Sequence, residues 1–444
     1  MTGRQTATRP LPATQATTGR VITRQRARTA VLPAACWAST RAVLLLFTYN
    51  VIPYISHGDI VGDVKTYNRW SQAFTSGHFP LHDPVWQYPP GASVVIALPR
   101  IVRGVTELSY YSTFYAMALL ADLITFLLVV YRCWYTAERN TGTAVAKRPI
   151  NYTGAWVYVV AIFVLGPIVY GRYDIIVAMT AAFALVVTTS SAAWTWRLRG
   201  MAIGLGAVVK LWPAALAVGL PKRVGGRRAL LWAGIAAVLP TLALAATLPG
   251  AFGFLAGQQD RGLEVESVLA TPFLIARHLG YPGAIRHQYG AFEITGPGIG
   301  AVLICCEVLT VAGFAWLLWW RRRADLVPGR WSTALYYDAA LTAVMIAIVT
   351  SRVLSPQYLV WVVALIALCL TLPNSALTGP CWLLLGAISL TQIEFPLLFS
   401  RLVHGGRWAP WFVTGRNLML VAATLWAVRL LRRAVAPEGV SSAP

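Results

Sequence analysis

Acidic side chains are scarce in this sequence. Sixteen Asp and Glu stand against 37 Lys and Arg, and charged residues of both signs make up only 12% of a chain that is 57% hydrophobic. Cysteine is scarce too. The six, Cys36, Cys133, Cys305, Cys306, Cys369 and Cys381, lie in or beside apolar runs, which excludes a disulfide framework and leaves them as small packing residues. No Cys or His spacing matches a zinc site, so no metal is expected. Neither a P-loop nor a Rossmann-type glycine motif is present to cradle a nucleotide. The N-terminal region has no apolar core followed by a small-residue cleavage site, so it is not a signal peptide.

What is abundant is apolar sequence of helix-spanning length, recurring from Trp37 to the C-terminus. A hydrocarbon core roughly 30 Å thick takes about 20 apolar residues per helix, because a helix satisfies its own backbone in lipid. The fold class expected is therefore all-α, a polytopic membrane protein. Residues 1–35 read as a disordered basic tail with Arg4, Arg9, Arg20, Arg24, Arg26 and Arg28, and the positive-inside rule places it in the cytoplasm. The net charge of +21 resides largely in such tails and loops. It points to anchoring at a membrane surface; nucleic acid is not an expected partner.

Walking the runs from a cytoplasmic start gives ten spans: 37–55, 108–131, 151–170, 175–193, 229–248, 297–320, 333–350, 358–373, 381–398 and 411–431. Basic clusters at Arg132 to Arg148, Arg197 and Arg199, Arg321 to Arg323, and Arg432 and Arg433 fall at the cytoplasmic turns. Residues 201–220 conflict with that walk unless they form a re-entrant pair of short helices broken at Lys210–Pro213, since proline breaks a helix interior. Both termini are then cytoplasmic, with one membrane domain over 36–433 and a short tail over 434–444.

With that topology the polar motifs fall on one side. The extracytoplasmic segments carry HGDIVGDVKTYNRW (57–70), HDPVWQYPPG (82–91), GRYD (171–174), QQDRGLEVES (258–267), SRVLSPQY (351–358) and RLVHGGRW (401–408), whereas the cytoplasmic loops are short and basic. An alternating-access transporter needs chemistry at the midplane and gates on both sides. One-sided polarity instead indicates an active site on a membrane scaffold.

Asp59 and Asp63 stand at helical spacing ahead of Tyr67 and Trp70. An acid held between aromatics and low-dielectric walls suits a general base, although a solvated loop acid has the same pattern. Pro89 and Pro90 make the loop before them rigid, and Trp86 and Tyr88 on it either stack on a sugar ring or mark the interface. Residues 92–101 are too short to span, and a re-entrant or interfacial helix fits. Arg261 suits a phosphate clamp, with Glu264 and Glu266 beside it, ahead of an interfacial helix starting near Ser267; the other reading is a capped amphipathic helix with surface charges. Arg352 either binds a lipid phosphate or snorkels to headgroups. Ser355 is placed to cap the helix that Pro356 opens, which turns Gln357 and Tyr358 toward the outer cavity or the interface. Lys210, inside the membrane, is a functional candidate because intramembrane charge is costly. Glu394 is placed to line the site, and Asp122 and Glu307 to satisfy buried hydrogen bonds.

The ordered set of Asp63, Tyr67 and Trp70, then YPP (88–90), GRYD, KLWP (210–213), DRGLEVES (260–267) and RVLSPQYLVW (352–361) resembles the GT-C superfamily of membrane glycosyltransferases, and within it family 87, over most of residues 40–430. The resemblance implies an extracytoplasmic transfer of a hexose, most often mannose, from a polyprenyl-phosphate sugar to a glycolipid or envelope-glycan acceptor by one inverting displacement. It implies Asp63, with Asp59 as competitor, as the base, and Lys210, Arg261 and Arg352 as stabilisers of the departing phosphate. Tyr67, Tyr88, Glu264, Glu266, Gln357, Tyr358 and Glu394 would bind substrate. No cofactor is implied; the partners are the donor, the acceptor and membrane lipids, in a bacterial plasma membrane. A non-catalytic scaffold of envelope assembly and a lipid or solute transporter are the rival readings.

Overall fold

The computed structural model describes residues 13–81, 83–139, 150–187, 192–326, 329 and 331–436. The basic ends of the expected tail (Arg4 and Arg9), His82, the Lys147–Arg148 pair and residues 437–444 lie outside the described residues. Helix α1 (Ala13–Thr48) is followed by two short amphipathic helices, α2 (His57–Thr75) and α3 (Ala92–Arg103), and by the long α4 (Tyr110–Arg139). Then come α5 (Thr153–Leu165), α6 (Asp174–Val186), α7 (Ala193–Val209), a 3-10 segment Trp212–Gly219, and α8 (Val224–Thr247). A polar excursion holds α9 (Phe254–Gln259), β1 (Leu263–Glu264), α10 (Thr271–Ala276), β2 (Ala284–Gln288) and β3 (Ala291–Thr295). The chain closes with α11 (Ile299–Leu326), α12 (Thr333–Thr350), α13 (Tyr358–Cys369), α14 (Thr378–Gln392), α15 (Phe399–Val403) and α16 (Ala409–Ala434).

Among the described residues seven helices are long and apolar enough to cross a membrane, within α1, α4, α8, α11, α12, α14–α15 and α16. The chain is an all-α polytopic membrane protein. The three other expected spans are present as α5, α6 and α13, but with only 13, 13 and 12 helical residues. At about 1.5 Å per residue these reach only ~20 Å. They are tolerated because they are interior: almost every residue of α13 is buried, whereas α8 and α11 show most of their surface. Their short reach leaves room at one end of the bundle for the segments 57–109 and 249–298, which fold over the turns before α6 and α13.

The break at Lys210 is present. α7 ends at Val209, Lys210 takes extended backbone (φ −156°, ψ 128°), and Pro213 opens the returning 3-10 segment. Charges sort between the two ends. At one, Arg132 and Arg199 lie over the rings of Tyr337 and Tyr336, and Arg321 donates to Leu220 O. The other end collects the acid-containing motifs and is called the polar end below.

Three expectations need correction. Residues 13–35, expected to be unordered, form the first part of α1, which continues through Pro33 without a break. The 249–298 segment contains a three-stranded antiparallel sheet in the order β1-β3-β2, in which Tyr289 and Gly290 adopt positive φ and close a two-residue hairpin. The third concerns Ser355, which makes no side-chain cap: α13 begins at Tyr358, whose N–H donates to Ser355 O at 2.9 Å.

Candidate functional site

α2 buries Ile60, Val64, Tyr67, Trp70, Ser71 and Phe74 at helical spacing and turns the remaining face outward. Asp63 sits at the edge of these faces, with 40% of its side chain exposed. Its Oδ2 meets Arg172 Nε at 2.8 Å. Arg172 is buried and also donates to Ile60 O at 2.9 Å, Gly171 O at 3.0 Å and Asp59 O at 3.3 Å. This clasp requires glycine at 171, because a Cβ there would stand 2.2 Å from Ile60 O. The base candidate is thus oriented by a buried cation that is itself anchored on the backbone of the same helix.

The first turn of α6 presents Asp174, buried, to Lys210 Nζ at 2.6 Å. Trp361 Nε1 donates to the same carboxylate oxygen at 2.5 Å. The ammonium lies 5.0 Å from the Trp361 ring, 5.1 Å from Tyr358, 5.4 Å from Tyr173 and 6.0 Å from Tyr88. Four ring faces and one carboxylate therefore share this charge, an arrangement that makes an intramembrane lysine tolerable. Gly91 brings the 86–91 loop onto the end of α7: its N–H donates to Val208 O at 3.1 Å, and a Cβ would stand 2.5 Å from the Val208 side chain.

Tyr88 is the hub between the two ion pairs. Its ring packs against Trp70, Trp86 and Tyr173 at centroid distances of 5.9, 5.7 and 5.4 Å. Burial, with Asp63 and Asp174 adding to it, pushes its hydroxyl pKa upward, so it is a neutral hydrogen-bonding group. Tyr67 is fully buried against Trp70, Phe114 and Tyr173, and so forms the wall behind the site.

The excursion before α11 covers the other side. Arg261 donates to Gln87 Oε1 at 2.7 Å and Glu293 Oε1 at 3.2 Å, and stands 3.8 Å from Glu264 Oε2. Burial pushes the Glu264 carboxyl up to about 7, against the pull of Arg261 and with Glu293 adding to the rise. Burial likewise raises Glu293, again opposed by Arg261. Arg352 lies alongside: it donates to Gln258 O at 2.7 Å, its own carbonyl accepts from Glu264 N at 3.0 Å, and Glu307 is 3.7 Å away.

Of the residues singled out in the sequence, Asp63, Tyr88, Lys210, Arg261, Glu264, Arg352 and Tyr358 come together at the polar end. Gln357 is half-buried in the turn just before Tyr358. Asp59 is exposed on α2 and contributes its carbonyl to Arg172. Glu266 and Glu394 belong to a second, fully buried cluster around Arg416, whose NH2 is 3.8 Å from Glu394 Oε2 and donates to Glu266 O at 2.9 Å. Glu394 therefore faces α16 and the excursion. Burial raises the Glu266 carboxyl, and the neighbouring Glu394 adds to it. Asp122 is buried and bound by Arg41 and by the hydroxyls of Tyr158 and Tyr170. Glu307, expected to be buried, is instead 65% exposed. Missing from the sequence reading were Arg172 and Asp174 as individual site members, although GRYD was conspicuous, and Trp361, Gln87, Glu293 and Arg416. An arginine in the middle of an apolar span was the available signal for Arg416.

Among the described residues no group of three or more His, Cys, Asp or Glu converges as metal ligands do. What the arrangement offers is a half-exposed carboxylate, a neutral phenol and a set of acid-paired cations gathered at the polar end. No curated protein matches the chain. The family model described as glycosyltransferase family 87 matches residues 86–337, more than half of the chain, from the Trp86–Tyr88 loop through Arg172, Asp174, Lys210 and Arg261 into α12. With that match and an all-α membrane fold, the chain belongs to glycosyltransferase family 87 and is a membrane glycosyltransferase.

Proposed function

We propose that the chain transfers a hexose, with mannose as the favoured sugar, from a polyprenyl-phosphate donor to a glycolipid or envelope-glycan acceptor. The polar end would face the extracytoplasmic side of a bacterial plasma membrane, and both termini the cytoplasm, because the basic clusters gather at the opposite end. The observation that carries this reading is the Asp63 carboxylate, half-exposed and held by buried Arg172, at the same end of the bundle as the paired cations Lys210, Arg261 and Arg352.

In the proposed reaction an acceptor hydroxyl attacks the anomeric carbon from the face opposite the phosphate. The new bond is C1–O(acceptor) and the broken one is C1–O(phosphate). The hydroxyl proton goes to Asp63, and the bonding electron pair leaves on the polyprenyl phosphate. One displacement inverts the anomeric centre. Arg172 keeps Asp63 aimed without covering it. Lys210, Arg261 and Arg352 offset the charge gained by the leaving phosphate, a preorganised role. Tyr88 and Tyr358, their rings held by Lys210 and the neighbouring aromatics, offer hydroxyls to the sugar. No cofactor takes part; the lipid-linked sugar is a substrate.

The test is a donor panel. Membranes expressing the chain receive labelled polyprenyl-phosphate mannose, glucose or arabinofuranose, and labelled glycolipid is extracted. Transfer from the mannose donor, with an inverted anomeric configuration by NMR, is the expected result. Transfer only from another lipid-linked sugar would keep the mechanism and replace the sugar. No transfer from any of them would favour the scaffold or transporter.

A further inference from the structure

A second site shares no lining residue with the Asp63 cluster and also lies at the polar end. The short helical run through α10 to Leu279 and the chain entering α16 border an open cleft of about 460 Å³, lined by Ile275, His278, Leu279, Arg407, Trp408, Pro410 and Trp411. Its walls are fixed by a small core in which Leu274 packs with Ala409 and Val413. The mouth, by contrast, displays Leu279, Trp408 and Trp411 at 83, 75 and 54% exposure. These are costly groups to leave in water. They sit where α16, a membrane-crossing helix, begins, and tryptophan is enriched at that level of a bilayer.

Charge along the lining of the cleft has one sign, with Arg407 and His278 on it and no Asp or Glu. Neither 268–287 nor 395–416 contains a single Asp or Glu, while Arg277, His278, Arg401, His404 and Arg407 are concentrated there. Among the described residues Arg407 has no carboxylate partner, unlike Arg172, Arg261 and Arg352. An unpaired guanidinium beside exposed indoles at the bilayer boundary matches a ligand with an anionic head and an apolar body.

We infer that the cleft between α10 and α16 binds an anionic phospholipid of the leaflet at the polar end, with Arg407 and His278 on its phosphate and Trp408, Trp411 and Leu279 against its upper acyl chains. A soluble phosphate would leave the tryptophans without a partner, and a soluble protein would have to displace lipid from the start of α16. The lipid satisfies both halves of the cleft at once. It is separate from the donor phosphate of the transfer reaction.

The full chain, purified into nanodiscs of either phosphatidylglycerol or phosphatidylcholine, is released for native mass spectrometry, and retained lipids are counted for the parent, Arg407→Gln and Trp408→Ala. Both side chains are exposed, so unchanged thermal unfolding should accompany each substitution. The parent is expected to retain phosphatidylglycerol in preference to phosphatidylcholine, and Arg407→Gln to weaken that retention about fivefold, the factor for one cation at an anionic surface. Trp408→Ala should weaken retention of both lipids. Equal retention of the two lipids by the parent, or retention unchanged by Arg407→Gln, would overturn the inference. Displacement of the retained lipid by millimolar glycerol phosphate would also overturn it, by making the site one for a soluble anion.

Discussion

Asp63 and Arg172 are 109 positions apart in the chain and 2.8 Å apart in the fold, and they are unequal partners: the arginine side chain is 10% exposed and the aspartate 40%. The pair joins α2 to the turn ahead of α6. Its asymmetry leaves the carboxylate accessible while its orientation is held from behind, the condition a general base needs.

Lys210 and Asp174 form the more buried pair, and removing one partner should cost more than removing both. Lys210→Met leaves a carboxylate of 2% exposure held by the Trp361 indole. Loss of about 3–5 kcal/mol is expected from an uncompensated buried charge. The Asp174→Asn/Lys210→Met double variant should recover part of it, read as a rise in detergent-solubilised melting temperature over the single variant.

Arg41 and Asp122 make a comparable clasp between α1 and α4 at the heart of the bundle, at 2% and 0% exposure. Asp122→Ala strands Arg41 and removes the acceptor of two tyrosine hydroxyls. About 3–5 kcal/mol of destabilisation is expected. Tyr170 directly precedes the Gly171–Arg172 clasp, so donor KM should rise as well in the protein that remains folded.

Glu264 supplies a pH dependence. Its carboxyl is raised from 4.5 to about 7 in the folded chain, chiefly by burial. The folded state therefore holds this proton more tightly than the unfolded state. The stability it contributes is complete below 4.5 and falls as pH rises through about 7. Melting temperatures measured from pH 4.5 to 8 should decline over that window, and Glu264→Gln should flatten the decline. The proton also governs Arg261: below about pH 7 the neutral carboxyl leaves the guanidinium freer for a donor phosphate, so donor KM should rise with pH in the parent and less so in Glu264→Gln.

Local signals were legible in the sequence where a residue type acts on its own chain. Pro213 beside Lys210 predicted the break after α7, and Pro89–Pro90 the rigid loop that carries Tyr88, because proline constrains backbone without help from tertiary structure. The apolar runs located α5, α6 and α13, but not how short they are, since burial inside the bundle rather than hydropathy sets their length. Pairings were invisible. Nothing in GRYD shows that its arginine reaches back to α2 and its aspartate forward to α7, because both contacts depend on helix packing across 36 or more positions. Glu394 at a helix end read as site-lining for the same reason, and the fold turns it to Arg416 instead.

The most direct measurement compares sugar transfer from labelled polyprenyl-phosphate mannose by the parent and by Asp63→Asn, at matched expression in membranes. The amide keeps the shape of the carboxylate but removes the counter-charge of buried Arg172, so some stability should be lost and transfer is compared per amount of folded protein. Transfer is predicted to fall by about 10²–10⁴-fold, the contribution of a positioned general base. Transfer at the parent's rate by Asp63→Asn would contradict the account and move the proton acceptor to another acid of the polar end.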